Sequence, residues 1–317
     1  MKIILYNNYH NGDQYFSQPI VRAIRKYNPD LEIDVAVRMY GFLFSDIDNI
    51  NVIDITSEDK TYDPCKSYHL VDENTMMINT WISCVNIWDT SVDNYLYIEC
   101  CSSRIYNSFK KCEKKYNLYL PTISDIELLP KTPATDISRF INWKATHNST
   151  IVFYNDVIPK SGQPVSSTEH KLIIHTLCGL FPDIYFITCD KLSDSKNNIS
   201  TMYDFHYIQT VDCENLSKNT KMYPHCDLII SFDVGACFNY IEEDVLRSKA
   251  TVLHIGCTTR FFDQLLYNVI NTELHSLFLD KCIFCQALET SQVIEIITNK
   301  IREKLVITNN PENVISA

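Results

Sequence analysis

Short apolar runs recur along the chain, and between them lie stretches with helical spacing. Ile3–Asn7 is the first run and predicts a strand. Ile20, Val21, Ala23 and Ile24 then recur at the spacing of a helix face, which predicts a helix from Pro19 to Lys26 closed by Pro29-Asp30. Leu31–Val37, Asn51–Ile55, Met76–Ile78 and Tyr95–Ile98 predict further strands, and Ser102–Tyr116 a helix. Several strands are apolar on both faces in places, as in a parallel sheet covered by helices.

Leu129–Ser149 changes character, with Pro130, Pro133 and a short amphipathic stretch around Ile137–Trp143. The interdomain connection is expected there. It gives an N-terminal domain at 1–145, a C-terminal domain at 146–292, and a terminal helix and tail at 293–317. The second lobe reads as strand Thr150–Tyr154, helix Glu169–Leu180 and strand Ile184–Thr188, with a short strand at Tyr207–Gln209. Strand Leu228–Ser231, helix Tyr240–Arg247 and strand Thr251–His254 follow. Val293–Lys304 carries Val293, Ile296, Ile297 and Ile301 on one helical face, which packs on one lobe or crosses back to the other. The pattern is α/β, two lobes expected to face each other across a cleft.

Composition narrows the function classes. At 317 residues, 45% hydrophobic and 21% charged, the chain is an ordinary soluble protein with room for two domains. The net charge of -11 and the lack of clustered cations beyond Lys110-Lys111 and Lys114-Lys115 argue against nucleic acid as a partner. No long apolar run predicts a spanning helix, and the start of the chain is too polar for a signal peptide, so a cytoplasmic location is expected. Peripheral membrane contact and oligomeric state stay open. The 13 cysteines are odd in number and scattered, which fits free thiols better than a disulfide framework. Cys282 and Cys285 form the single C-x2-C pair, without partners at zinc spacing.

Candidate chemistry lies in the polar turns after the strands, where open α/β sheets bind ligands. His10-Asn11-Gly12-Asp13 follows the first strand and precedes the first helix. Gly12 permits a sharp turn, and Asp13 is either an N-cap or a general base for an acceptor hydroxyl. Phe232-Asp233-Val234-Gly235 lies between strand and helix, either as a cap or as a site where free helix amides meet a diphosphate. After the first strand of the second lobe come Tyr154-Asn155-Asp156 and Lys160-Ser161-Gly162-Gln163. Lys160 is the natural phosphate cation there and His170 the second choice, against a plain solvated loop. Asp190 either accepts from a ribose or base or closes a turn. Arg260 either braces a diphosphate or lies on the surface. Tyr15, Tyr40, Trp81 and Trp88 are sugar-stacking candidates or core residues. One glycine in the first turn excludes a dinucleotide fingerprint, and no G-K-[ST] excludes a Walker A loop.

Two segments carry a resemblance. The first runs from Met1-Lys2-Ile3-Ile4-Leu5 through Asn11-Gly12-Asp13 and Gln18-Pro19-Ile20-Val21-Arg22-Ala23-Ile24-Arg25 to Pro29-Asp30-Leu31-Glu32-Ile33-Asp34. The second is Cys226-Asp227-Leu228-Ile229-Ile230-Ser231-Phe232-Asp233-Val234-Gly235. Together they resemble the heptosyltransferase-like GT-B glycosyltransferases. Val234 stands where the family has a small hydroxyl residue. Tyr154-Asn155-Asp156 stand where it has glycine or serine, and Phe238 and Asn239 where histidine is common.

The resemblance implies two Rossmann-like domains, with the nucleotide-sugar donor on the C-terminal one and a glycan or glycolipid acceptor on the N-terminal one. It implies inversion without a bound metal or cofactor, the nucleotide diphosphate sugar being a substrate. It puts the base on Asp13 and the phosphate turn on Asp233, Val234 and Gly235. The donor side then gathers Asn155, Lys160, Gly162, Gln163, Asp190 and Arg260, and the acceptor side His10, Asn11, Gly12, Tyr15 and Trp81. The alternatives are a noncatalytic nucleotide-sugar or glycan-binding protein on the same scaffold and a nucleotide-sugar epimerase or hydrolase.

Overall fold

Lys2–Asn7 forms strand β1, whose residues Ile3 and Leu5 are fully covered, and the helix α1 that follows runs from Asn11 to Tyr27. The structure is a computed structural model. It describes residues 1–8, 11–38, 41–56, 59, 61–62, 68–80, 105–110, 113–114, 116–122, 125–127, 129–147, 149–156, 165–189, 198–205, 215–232, 239–256, 272–287 and 289–309. Helix α1 starts well before Pro19, so Asn11, Gly12 and Asp13 are its first turn rather than a loop ahead of it. The helical face extends backward through Tyr15 and Phe16, both buried with Ile20 and Ile24. Pro19 removes one intrahelical donor, and burial of that face outweighs the loss.

The first sheet continues with β2 (Glu32–Val37), β3 (Ile50–Asp54), β4 (Tyr68–Leu70) and β5 (Thr75–Asn79). Its order is β3-β2-β1-β5-β4. Strands β1, β2, β3 and β5 are parallel, with Ile3 beside Ile33 and Met76, and β4 runs antiparallel to β5. Both neighbours of β1 are buried strands, which explains its unbroken apolar character. A 3-10 turn, Gly41–Phe44, leads toward β3. Residues 105–110 are helical, in agreement with the sequence expectation there.

The second sheet follows helix α2 (Ser138–Thr146) and begins with β6 (Ile151–Tyr154). Helix α3 (Ser167–Leu180), β7 (Tyr185–Thr188), β8 (Ile199–Thr201), α4 (Asn215–Met222) and β9 (Leu228–Phe232) come next. Helix α5 (Glu243–Arg247), β10 (Thr251–Ile255), α6 (Thr272–Lys281), β11 (Cys282–Cys285) and α7 (Thr290–Asn309) complete it. All six strands are parallel, in the order β11-β10-β9-β6-β7-β8. Numbered within the sheet this is 3-2-1-4-5-6, the doubly wound dinucleotide-binding order.

One face of this sheet packs Val152, Tyr154, Ile230, Phe232, Leu253 and Ile255 against α3 and α7. The terminal helix therefore packs on the second sheet through Val293, Ile297 and Ile301. Helix α3 starts in a capping box: Ser166 Oγ accepts from the Glu169 amide, and Glu169 Oε2 accepts from the Ser166 amide at 2.7 Å. The Thr290 hydroxyl donates to the other Glu169 oxygen at 2.9 Å and so joins the starts of α3 and α7.

The C-x2-C pair is edge strand β11. Residues three apart on a strand point to opposite faces, so the two thiols cannot share a ligand. The chain forms two compact units, Met1–Thr135 with Val211–Ser217 and Arg260–His275, and Asp136–Thr210 with Lys218–Thr259 and Ser276–Ala317. The predicted strands Tyr95–Ile98 and Tyr207–Gln209 lie outside the described residues. Among the described residues, no helix is long and apolar enough to cross a membrane.

Candidate functional site

Strand order places the ligand-binding edge of the second sheet. Beginning at β6, the chain adds β7 and β8 on one side and then returns to add β9 on the other. The gap this leaves beyond the carboxyl ends of β6 and β9 is the switch point where such sheets hold their ligands. Asn155 and Asp156 follow β6 there. The Asn155 amide donates to Ile230 O of β9 at 2.9 Å, closing the sheet up to its rim.

Polar side chains are packed densely behind this rim. Asn155 Nδ2 donates to the Tyr223 hydroxyl at 3.0 Å, and that hydroxyl donates to Asn239 Oδ1 at 3.3 Å. Asn239 Nδ2 in turn donates to Thr220 Oγ1 at 2.6 Å. On its other side Asn155 Oδ1 accepts from the Cys189 thiol at 3.3 Å, and Asp156 Oδ1 accepts from the Cys189 amide at 2.6 Å. Asn219 Nδ2 reaches the same sulfur at 3.4 Å, while its Oδ1 is buried without a partner. Asn155 is thus held by its oxygen and its nitrogen at once. Both bonds lie inside the protein, at the end of β6.

The opposite face of the rim carries an aromatic and histidine group. The Tyr154 hydroxyl and His170 Nδ1 share a hydrogen bond of 2.8 Å, and the His170 ring stands edge-on to Phe232 at 4.8 Å. His170 Nε2 is buried without a partner. Burial holds His170 neutral, its pKa pushed down to about 4, and raises the Tyr154 phenol well above its ordinary value. A second pair, the Tyr240 hydroxyl and His254 Nδ1 at 3.2 Å, lies at the ends of β9 and β10, with His254 beside Ser231 in the sheet register. Gly256, with φ of 144°, ends β10 in a conformation that suits only glycine.

The first sheet has its own switch point, between β1 and β5. Asn7 Nδ2 donates across it to Thr80 Oγ1 at 3.2 Å, and Asn8 Nδ2 donates to Tyr62 O at 2.8 Å. Asn8 Oδ1 and Gln14 Oε1 are buried acceptors without partners. Asn11, Gly12 and Asp13 begin the helix that leaves this edge. Tyr15 is only 1% exposed, its ring 5.3 Å from Phe16, and belongs to the core instead of a sugar-stacking surface.

His10, Trp81, Lys160, Gly162, Gln163, Asp190, Asp233, Val234, Gly235 and Arg260 lie outside the described residues. The sequence reading named Asp156 and Asn239 without a role and gave none to Cys189 and Tyr223, which complete this inner layer. Among the described residues no group of three or more His, Cys, Asp or Glu side chains is placed to hold a metal ion.

The architecture has counterparts among solved structures. The E. coli ADP-heptose lipopolysaccharide heptosyltransferase II is 12% identical, with 96% of this chain and 99% of that chain covered at a TM-score of 0.53. A family 9 glycosyl transferase from Veillonella parvula is 9% identical, with 94% and 89% covered at a TM-score of 0.50. The fold is GT-B. No protein-family model and no curated protein sequence matches the chain. Each sheet of this chain has one switch point, at the ends of β6 and β9 in the second sheet and at the ends of β1 and β5 in the first.

Proposed function

We propose that the protein is a glycosyltransferase that moves a sugar from a nucleotide diphosphate sugar to a hydroxyl of a glycan or glycolipid. The observation that carries this reading is the 3-2-1-4-5-6 order of the second sheet, with a rim of buried polar side chains at the β6–β9 switch point. The GT-B fold adds to it, because the solved structures that share the fold include a heptosyltransferase that uses ADP-heptose. Fold alone does not fix the reaction, so the chemistry rests on the site residues.

In this reading the second unit holds the donor. Asp233, Val234 and Gly235 follow β9 and meet the diphosphate. Lys160 of that unit, or Arg260, which falls in the first unit, offsets its charge as it leaves, and Gly162, Gln163 and Asp190 face the nucleotide. Asp13, in the first turn of α1, takes the proton from the acceptor hydroxyl as its oxygen attacks the anomeric carbon. His10, Asn11, Gly12 and Trp81 form the acceptor side. A single displacement of this kind inverts the anomeric centre and uses one base, without a divalent metal.

The test is a thermal-shift panel of UDP-, GDP-, CDP- and ADP-sugars, with ADP-heptose included. Turnover of a radiolabelled donor that binds is then followed with and without acceptor and with a chelator present. Acceptor-dependent, chelator-insensitive transfer with inversion is expected. Binding without turnover would leave a sugar-binding protein, and an acceptor-independent product would leave an epimerase or hydrolase.

A further inference from the structure

We infer that Tyr223 is a positioning residue, whose hydroxyl fixes both sides of the β6–β9 rim relative to each other. This rests on the donor site proposed above and adds to it a residue that the polar turns do not contain. Tyr223 begins the 3-10 turn Tyr223–His225 between α4 and β9, and it is fully buried. Its ring stands perpendicular to Phe153 at 4.8 Å, so the sheet itself sets where the hydroxyl sits.

That hydroxyl accepts from Asn155 Nδ2 at 3.0 Å and donates to Asn239 Oδ1 at 3.3 Å. Asn155 is the first residue beyond β6, and Asn239 stands in the sequence between β9 and α5, close before α5. One oxygen atom therefore links the first residue beyond β6 to a residue on the segment between β9 and α5. Thr220 fixes the far amide of Asn239, and Cys189 the far oxygen of Asn155. The result is a buried chain from β7 to α4 with Tyr223 at its middle. Buried polar chains of this kind specify one arrangement of the groups they join. A hydrophobic ring without the hydroxyl would fill the same space and uncouple the Asn155 side chain from that of Asn239, leaving the backbone bond from Asn155 to Ile230 in place.

Tyr223→Phe keeps the ring and removes the hydroxyl. Three readouts on the full chain decide the inference: the melting temperature, amide hydrogen exchange of peptides that contain Asn155–Asp156 and Asn239–Glu242, and affinity for ADP or whichever nucleotide the wild type binds best. The expected result is exchange several-fold faster in both peptides, unchanged exchange in β7 and β10, and nucleotide affinity about tenfold weaker, a loss in the range of one buried hydrogen-bonded group.

Unchanged exchange in either peptide overturns the inference. So does faster exchange with unchanged nucleotide affinity, because the bonds would then be structural only. If the wild type binds no nucleotide, the functional reading fails, and the exchange result alone decides whether Tyr223 couples Asn155 to Asn239. Should Tyr223→Phe not fold, Asn155→Ala breaks the same chain one step away and is read by the same criteria.

Discussion

The Tyr154 hydroxyl lies 2.8 Å from His170 Nδ1 at the carboxyl end of β6, and both residues are buried against Phe232. The pair ties the first turn of α3 to the last residue of the central strand. It also buries an imidazole, and burial disfavours its charged form.

His170 therefore makes stability depend on pH. Its pKa is pushed down to about 4 by burial, against 6.5 in an unfolded chain. Between these values the unfolded state binds the proton and the folded state does not, so stability falls as pH drops from about 6.5 toward 4. The full effect is on the order of 3 kcal/mol. Urea midpoints at pH 4.5 and 7.5 should differ for the wild type, and the difference should shrink in His170→Gln. An equal slope in the variant would remove His170 as its source.

The capping box of α3 gives a second, lower window. Hydrogen bonds from Ser166 and Thr290 hold the Glu169 carboxylate down to about 2. Its contribution is present above about 4.5 and is lost as pH falls toward 2. At neutral pH, Ser166→Ala should cost about 1 kcal/mol in a denaturant titration. Glu169→Gln should remove the acid-dependent part and, because the Glu169 charge favours the protonated imidazole, push the lower end of the His170 window further down.

Gly256 ends β10 at φ of 144°, and its amide donates to Cys285 O at 3.1 Å. Gly256→Ala should lose roughly 1–3 kcal/mol of stability, because a side chain there strains the backbone. A shift of the denaturant midpoint without a change of slope is expected. A neutral result would show that this turn relaxes.

Asp13→Asn separates binding from chemistry. With saturating donor and acceptor, transfer should fall about 10²–10⁴-fold, the usual worth of a positioned base, while nucleotide affinity stays unchanged. Full transfer activity in the variant would take the base role away from Asp13.

The strands that build the two sheets were legible where burial on both faces makes them continuously apolar, as in β1, β6 and β9. Three short strands were not. Tyr68–Leu70, Ile199–Thr201 and Cys282–Cys285 are too brief to show a period, and each lies at a sheet edge with one neighbour. Pro19 hid the first half of α1, although Tyr15 and Phe16 already continued its apolar face. At the site, Asn155 was found because it follows a predicted strand. Tyr223 was not, because it looks like an ordinary residue between elements, and only pairing of β9 with β6 brings it and Asn239 to Asn155.

The place of β6 at the middle of its sheet also bears on how the protein is made. During synthesis the nascent chain can complete one flank of this strand with Tyr185–Thr188, but the other flank waits for Leu228–Phe232 to emerge from the ribosome. Until then four buried apolar residues sit on an open edge, the kind of surface on which partly made chains stick together. A stop codon between β8 and β9 should therefore yield an insoluble fragment, whereas one past β11 leaves every strand of the sheet in place.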